Sequence, residues 1–358
     1  MKKIDIYIIK KFLGTFFFAI SLLIVIVIIF DISENIDEFI EKAAPVRAVI
    51  FDYYLNFIPY FVNLFSYLFT FISVIYFTSK MAGNTEIVAI LSSGISYRRM
   101  LRPYFFSAII LALMSFYLAN FLIPRTNQHR RVFKNRYIED LNKEKDRNLH
   151  LQISPGTYVY VEYFHLKSLT GYKFSMERFE DEKLKYKMIA DRIEWDTLTN
   201  KWNIKNYYVR YIDGKEERME SGLVKDTVLN LKPSDLYFQK ERFEEMNLME
   251  LNAYIEKEKM KGSEEVIFYE VEKHTRFASP FATLVLTLIG VSLSSRKMRG
   301  GIGMHLGLGI LITFAFILFM RISTVFATYG NLPPAFAAWI PNIIFGILGI
   351  LLLRSAPK

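Results

Sequence analysis

The 358-residue chain has no cysteine, which excludes disulfides and thiolate metal sites. It also lacks an engine. There is no GxxxxGKS/T loop to cradle a nucleotide's phosphates, no GxSxG elbow to present a serine, and no HExxH helix to hold zinc. The five histidines, His129, His150, His165, His274 and His305, have no ligand spacing. Acidic pairs such as Glu216-Glu217 and Glu264-Glu265 sit in charged, solvated stretches. No residue set points to catalysis, a metal or a cofactor. The long apolar runs contain no Asp or Glu, which argues against proton-coupled transport, where carboxylates stand inside the spans.

What the chain does have is apolar length. Uncharged runs cover Phe12–Phe30, Tyr53–Ser79, Pro103–Pro124, Phe277–Ser295 and Gly300–Met320, and a sixth, Ile322–Leu353, is broken by Gly330-Asn331-Leu332-Pro333-Pro334. A crossing needs about 20 apolar residues, so the runs predict six membrane helices in two groups of three, the last over Ala335–Leu353. Asp31-Ile32-Ser33-Glu34, rather than a small-x-small cleavage site, follows the first run, which marks a retained helix and not a signal peptide. With the N-terminus inside, the cytoplasmic pieces Met1–Lys11, Lys80–Arg102, Arg296–Arg299 and Arg354–Lys358 hold 13 Lys and Arg against two acids, Asp5 and Glu86. The net charge of +9 is therefore a topology signal, not a nucleic-acid footprint.

The segment Arg125–Arg276 balances 29 basic against 28 acidic residues and would lie outside. Gln128–Lys145 is charged and reads as helical or extended. Period-2 stretches then predict strands at Thr157–Phe164, Tyr172–Phe179, Leu184–Trp195, Trp202–Tyr211 and Thr227–Leu231, with turns at Pro155-Gly156, Thr170-Gly171 and Asp213-Gly214. Such strands imply an all-β sandwich, jelly roll or open barrel. Met246–Lys261 returns to helical period. The expected domains are thus 1–124 with three spans, 125–245 as the β domain, 246–276 as a helical connector, and 277–358 with three more spans.

Three features could carry function. The polar island Ser79–Pro103 between spans 2 and 3 contains a short helix signal: Asn84 or Thr85 as cap, Glu86 in the first turn, Ile87, Ile90 and Leu91 on one face, and Gly94 as stop. Arg321, placed near the outer end of span 5, is either a snorkelling anchor or a guanidinium for an anionic substrate such as a phosphate. Gly303 and Gly307 form a GxxxG pair suited to close helix packing or to local flexibility.

Three stretches, in this order and spacing, resemble the LptF/LptG (YjgP/YjgQ) permeases of lipopolysaccharide export. They are Thr85-Glu86-Ile87-Val88-Ala89-Ile90 with Ser93-Gly94-Ile95-Ser96 and Arg102-Pro103; His274-Thr275-Arg276-Phe277-Ala278-Ser279-Pro280; and Gly330-Asn331-Leu332-Pro333-Pro334 with Ala337-Ala338-Trp339-Ile340-Pro341-Asn342. The resemblance implies a non-catalytic inner-membrane subunit with cytoplasmic termini and a periplasmic jelly-roll-like domain. Its implied partners are a cytoplasmic ABC ATPase dimer, a second LptF/LptG-type chain, a periplasmic bridge protein and lipopolysaccharide. It casts the short helix as a coupling helix, with Glu86, Ile87, Ile90 and Leu91 meeting the ATPase. Spans 1 and 5 would line the lipid cavity. LptG-type relatives carry lysines at the outer end of span 1. Here Asp31–Glu38 is acidic, which leaves Arg321, Lys42 and Arg47 as substrate-path candidates, although Asp31-Ile32-Ser33-Glu34 itself points to the LptG half. The competing reading is a lipoprotein-releasing or force-transmitting ABC subunit. Such proteins usually carry four spans and place the large domain after the first.

Overall fold

The computed structural model describes residues 3–138, 147–181, 183–214, 216–236, 240–260, 265–296 and 301–354. Expectations that fall on Lys2, on 139–145, on Glu264, on 297–299 and Gly300, and on the last four residues lie outside the described residues.

Among the described residues, six helices are long and apolar enough to cross a membrane: α1 (Lys3–Glu41), α2 (Val46–Gly83), α4 (Tyr97–Tyr137), α6 (Val266–Ser294), α7 (Gly301–Tyr329) and α8 (Pro334–Arg354). Between α2 and α4 lies the short α3 (Glu86–Ser92), and α5 (Leu248–Met260) precedes α6. The chain is therefore a six-span, 3+3 membrane protein with an all-β insert between its third and fourth membrane helices. It forms two compact units: Met1–Ile138 with Phe243–Asn252 and Ile267–Lys358, and Glu139–Arg242 with Ala253–Val266.

The helices overrun their apolar runs. The 39 residues of α1 reach about 58 Å against a hydrocarbon core of about 30 Å, so the acidic stretch after Phe30 continues the helix beyond the membrane. The third span opens at Tyr97 rather than Pro103. Ser96 caps it, its hydroxyl accepting from the Arg99 N–H at 3.4 Å, so the helix is already formed when it reaches the proline. Both α2 and α4 contain a wide π-helical stretch, Val49–Tyr54 and Leu118–Leu122. The Gly330–Pro333 break separates α7 from α8, with Pro334 as the first helical residue.

One membrane core joins α1, α2 and α4 through Ile8, Phe12, Phe16, Val74, Phe77, Tyr104 and Leu111. The Phe12, Phe77 and Tyr104 rings pack in sequence, with centroids 6.0 and 5.2 Å apart. A second core joins α2, α6, α7 and α8 through Phe71, Ile75, Leu286, Ile289, Phe316 and Phe345. Small residues let these helices approach closely. A β-carbon added at Gly290 would stand 3.0 Å from the Phe71 and Val74 side chains, and one at Gly309 would collide with Ile75. Buried hydroxyls on this seam largely satisfy themselves on their own helix, as Thr70 does with the Ser66 carbonyl and Thr287 with that of Thr283.

The insert is one six-stranded antiparallel sheet in the order β1 (Arg147–Ser154), β2 (Thr157–His165), β3 (Thr170–Glu180), β4 (Lys183–Asp196), β5 (Lys201–Asp213) and β6 (Glu216–Thr227). Its core is Val161, Phe174, Ile193, Trp202 and Ile204, with Leu231 and Leu236 from the segment after β6. Two expectations change here. Thr170-Gly171 is not a turn but part of β3, and Gly171 is small because the Val161 and Ile193 side chains press against it. Thr227 ends β6, but Val228–Leu231 is not a strand. It is an irregular segment whose leucines alternate because they plug the sheet core. The Trp202 indole N–H donates to the Leu231 carbonyl at 2.8 Å and fixes this plug. Trp202→Phe should cost about 1–3 kcal/mol by leaving that carbonyl unpaired. Urea titration read by Trp195, whose ring lies 5.1 Å from Trp202, checks it. An unchanged midpoint would show that the plug is held by its leucines alone.

Candidate functional site

The end of the helix bundle that carries Lys10, Lys11, Lys80, Arg98 and Arg102 also carries α3. Chain reversal after α2 puts Thr85 in the left-handed region at φ +63°, an unusual conformation for a β-branched residue and a store of local strain. This explains why the expected side-chain cap is not made: the Thr85 hydroxyl turns back to the Asn84 carbonyl at 2.6 Å. Glu86 takes over at the helix start, where a carboxylate complements the exposed N–H groups. Its Oε1 accepts from the Asn84 side chain at 3.2 Å, and its Oε2 accepts from the Tyr7 hydroxyl of α1 at 2.9 Å. Gly94, at φ +83°, ends the turn, its N–H reaching the Leu91 carbonyl at 3.0 Å.

The apolar face of α3 points inward. Ile87 is fully buried in the α1–α2–α4 core, and Ile90 and Leu91 pack against the same cluster. The face turned to solvent presents Val88, Ala89 and Ser92, with Glu86 at its edge. Thus Ile87, Ile90 and Leu91, which the resemblance casts as meeting the ATPase, pack inward and seat the helix, while Val88, 60 % exposed, is the apolar residue offered outward. Helical phase contained that signal: residues one position off the Ile87–Leu91 stripe must face away from it.

A second polar contact, unnoticed in the sequence, stands beside this site. Asp5 of α1 is buried, and its two carboxylate oxygens accept from Arg99 Nη1 at 2.8 Å and Nη2 at 2.7 Å. Arg99 lies in the first turn of α4, where a cation opposes the helix dipole, and the bidentate pair offsets that cost. The signal was available: Asp5 and Glu86 are the two acids of the basic side, and each is claimed by a side chain from another element.

At the opposite end of the bundle the substrate-path candidates are dispersed. Lys42 donates to the Ile138 carbonyl at 3.2 Å, and Arg47 is exposed just before the π-helical turn of α2. Asp31 accepts from the Tyr53 and Tyr54 hydroxyls at 3.1 and 3.0 Å. These rings join Phe39, Phe57 and Phe133 in an aromatic knot, so this acid of the α1 extension is structural. Arg321 is exposed and, among the described residues, has no hydrogen-bond or ion-pair partner. It is not at the helix end: α7 runs eight residues further, to Tyr329, or about 12 Å along its axis. On α2, the Tyr60 ring is covered by the Arg130 guanidinium at 5.3 Å. Among the described residues, Gly303 and Gly307 have open space where their β-carbons would be.

Also missed was Arg276 of α6, 5 % exposed. It donates to Glu272 at 2.8 Å, to the Met246 carbonyl at 2.7 Å and to the Phe243 carbonyl at 2.6 Å. From α4, Gln128 donates to the Glu245 carbonyl at 2.8 Å and Arg131 pairs with the Glu245 carboxylate at 2.9 Å. The strap Phe243–Met246 is thereby clasped between α4 and α6.

No curated protein matches the chain. The family model described as "Lipopolysaccharide export system permease LptF/LptG" matches residues 6–355, which takes in both groups of membrane helices, the short helix between α2 and α4, and the sheet. With that match over nearly its whole length, and with the six-span architecture and inserted sheet, the chain belongs to the LptF/LptG family of lipopolysaccharide export permeases.

Proposed function

We propose that this chain is one membrane half of an ATP-driven exporter that lifts lipopolysaccharide out of the outer leaflet of the inner membrane and passes it to a periplasmic bridge. In this reading a cytoplasmic ATPase dimer docks on α3, a second LptF/LptG-type chain completes the lipid cavity, and the β domain lies in the periplasm. The observation that carries the reading is α3 itself. It is a short helix firmly seated by Ile87, with an exposed Val88 and a half-exposed Glu86 carboxylate among surface cations, on a chain without a nucleotide-binding loop. Such a surface suits a basic groove on a separate ATPase. Purification from native membranes in mild detergent should bring down an ATPase, a second permease chain and lipopolysaccharide together. Isolation of the chain without any of them, or ATP hydrolysis by the chain alone, would end the reading. Because the chain has no cysteine, a single cysteine at Gly214 reports sidedness directly and should label from the periplasmic face.

Arg321 is the strongest candidate for a lipid phosphate, since it is exposed, unpartnered among the described residues, and set back from the helix end. Loss of a charge-assisted hydrogen bond of about 1.5–3 kcal/mol predicts that Arg321→Leu lowers lipid capture roughly tenfold or more at unchanged protein level. Photocrosslinking to lipopolysaccharide measures this. Equal capture would return Arg321 to the role of an interfacial anchor.

A further inference from the structure

We propose that Asp5 and Tyr7 are positioning residues that make the first turns of α1 part of the docking unit, so that a displacement of α3 reaches the first membrane helix as a rigid movement. The proposal rests on the reading of α3 as the ATPase-facing helix.

Two polar pins tie the start of α1 to two different elements. The Asp5 carboxylate takes the forked Arg99 guanidinium of α4, and the Tyr7 hydroxyl takes the Glu86 carboxylate of α3. Ile8, Ile87 and Met100, one from each of the three elements, pack in the same core. Fork-on-carboxylate pairing fixes angle as well as distance, which an apolar contact does not. Further along, α1 is different. Among the described residues from Ile8 to Phe30, no side chain of α1 hydrogen-bonds to another helix; Thr15 and Ser21 turn to carbonyls of α1 itself. Its buried residues there, Phe12, Phe16, Ile20 and Ile24, contribute apolar packing, which tolerates small rotations and sliding. The next polar tie is Asp31, held by Tyr53 and Tyr54. A helix pinned at its start and apolar along its middle transmits movement from the pinned end. Glu86 therefore has a double role: it edges the docking face and bears on α1 through Tyr7.

The test uses the complete complex in proteoliposomes loaded with lipopolysaccharide, and reads ATPase retention, ATP hydrolysis and lipid released per ATP. Asp5→Arg and Arg99→Asp, each alone, should keep the ATPase bound and hydrolysing within about twofold, while lipid release per ATP falls roughly tenfold. The double reversal Asp5→Arg/Arg99→Asp should restore at least half of the release. Tyr7→Phe keeps the ring, removes only the hydroxyl, and should lower release several-fold at normal protein level, so the proposal does not depend on the charge variants folding. Normal release in the single reversals or in Tyr7→Phe would overturn it, as would a double reversal that is well folded yet no better than the singles. Failure of the export reading would show differently: the unaltered complex would hold no ATPase or release no lipid, and both the reading and this proposal would fall.

Discussion

Replacing the buried Arg276 with leucine is expected to cost about 3–5 kcal/mol and to loosen the strap Phe243–Met246. The guanidinium is buried and spends its donors on three acceptors at 2.6–2.8 Å: the Glu272 carboxylate and the carbonyls of Phe243 and Met246. Leucine fills part of the stem's volume but donates nothing. Two strap carbonyls lose their charge-assisted partner, and Glu272 loses its counter-ion one helical turn away. Gln128 and Arg131 would still grip Glu245 from the α4 side, so the strap should loosen rather than detach. Lysine is not an adequate substitute, because one ammonium on a flexible stem cannot reproduce a planar fork reaching a carboxylate and two carbonyls. Arg276→Lys should therefore recover less than half of the loss. Thermal melting in detergent reads the first effect, and limited proteolysis at 243–246 reads the second. Wild-type melting together with wild-type proteolysis in Arg276→Leu would show that the clasp is not what holds the strap.

The fate of Arg276 illustrates what the sequence disclosed and what it withheld. The six spans were legible because each apolar run is long enough to cross by itself, and the break at Gly330–Pro334 is written in residues that cannot continue a helix. Four of the strands were legible because their core-facing residues alternate. The two edge strands, β1 and β6, were not: in β6, Glu216–Thr227 carries polar residues on both faces, so no period marks it. The Thr227–Leu231 segment misled for the converse reason, since leucines that plug a core can alternate without forming a ladder. Glycine spacing likewise says that two helices can approach, not which ones do. In this chain Gly309 and Gly290 meet neighbouring side chains, whereas the GxxxG pair Gly303 and Gly307 faces open space. Long-range polar partners are the least legible of all. Nothing local to Asp5, Arg99, Glu272 or Arg276 states that α1 will meet α4, or that a strap thirty residues upstream will fold back on α6. A weak clue existed at the basic end, where two isolated acids among many cations had to be paired with something.

Under the proposed docking of an ATPase on α3, Glu86→Arg is expected to abolish retention of that ATPase while leaving the permease folded. The side chain is not part of the core that seats α3; that work is done by Ile87, with Ile90 and Leu91 beside it. Its own two hydrogen bonds, to Asn84 and Tyr7, lie at the protein surface, and reversing charge in the first helical turn costs only about 0.3–1 kcal/mol through the dipole. An interface is far less forgiving. Removing one member of a desolvated charge pair costs about 2–5 kcal/mol, and installing a like charge opposite a basic groove adds repulsion to that loss. Affinity should fall by at least a hundredfold, beyond what co-purification survives. Glu86→Gln separates the contributions, since it removes the charge while its amide oxygen can still accept from Asn84 and its NH2 can donate to the Tyr7 oxygen, and it should bind more weakly than wild type but measurably. Val88→Asp probes the same face without touching Glu86 and should also weaken docking, because Val88 is the apolar residue that α3 presents outward. If Glu86→Arg retains the ATPase at wild-type stoichiometry while Val88→Asp loses it, α3 still docks, but by its apolar face, and the carboxylate serves only the Tyr7 pin. If both retain it, α3 is not the docking helix.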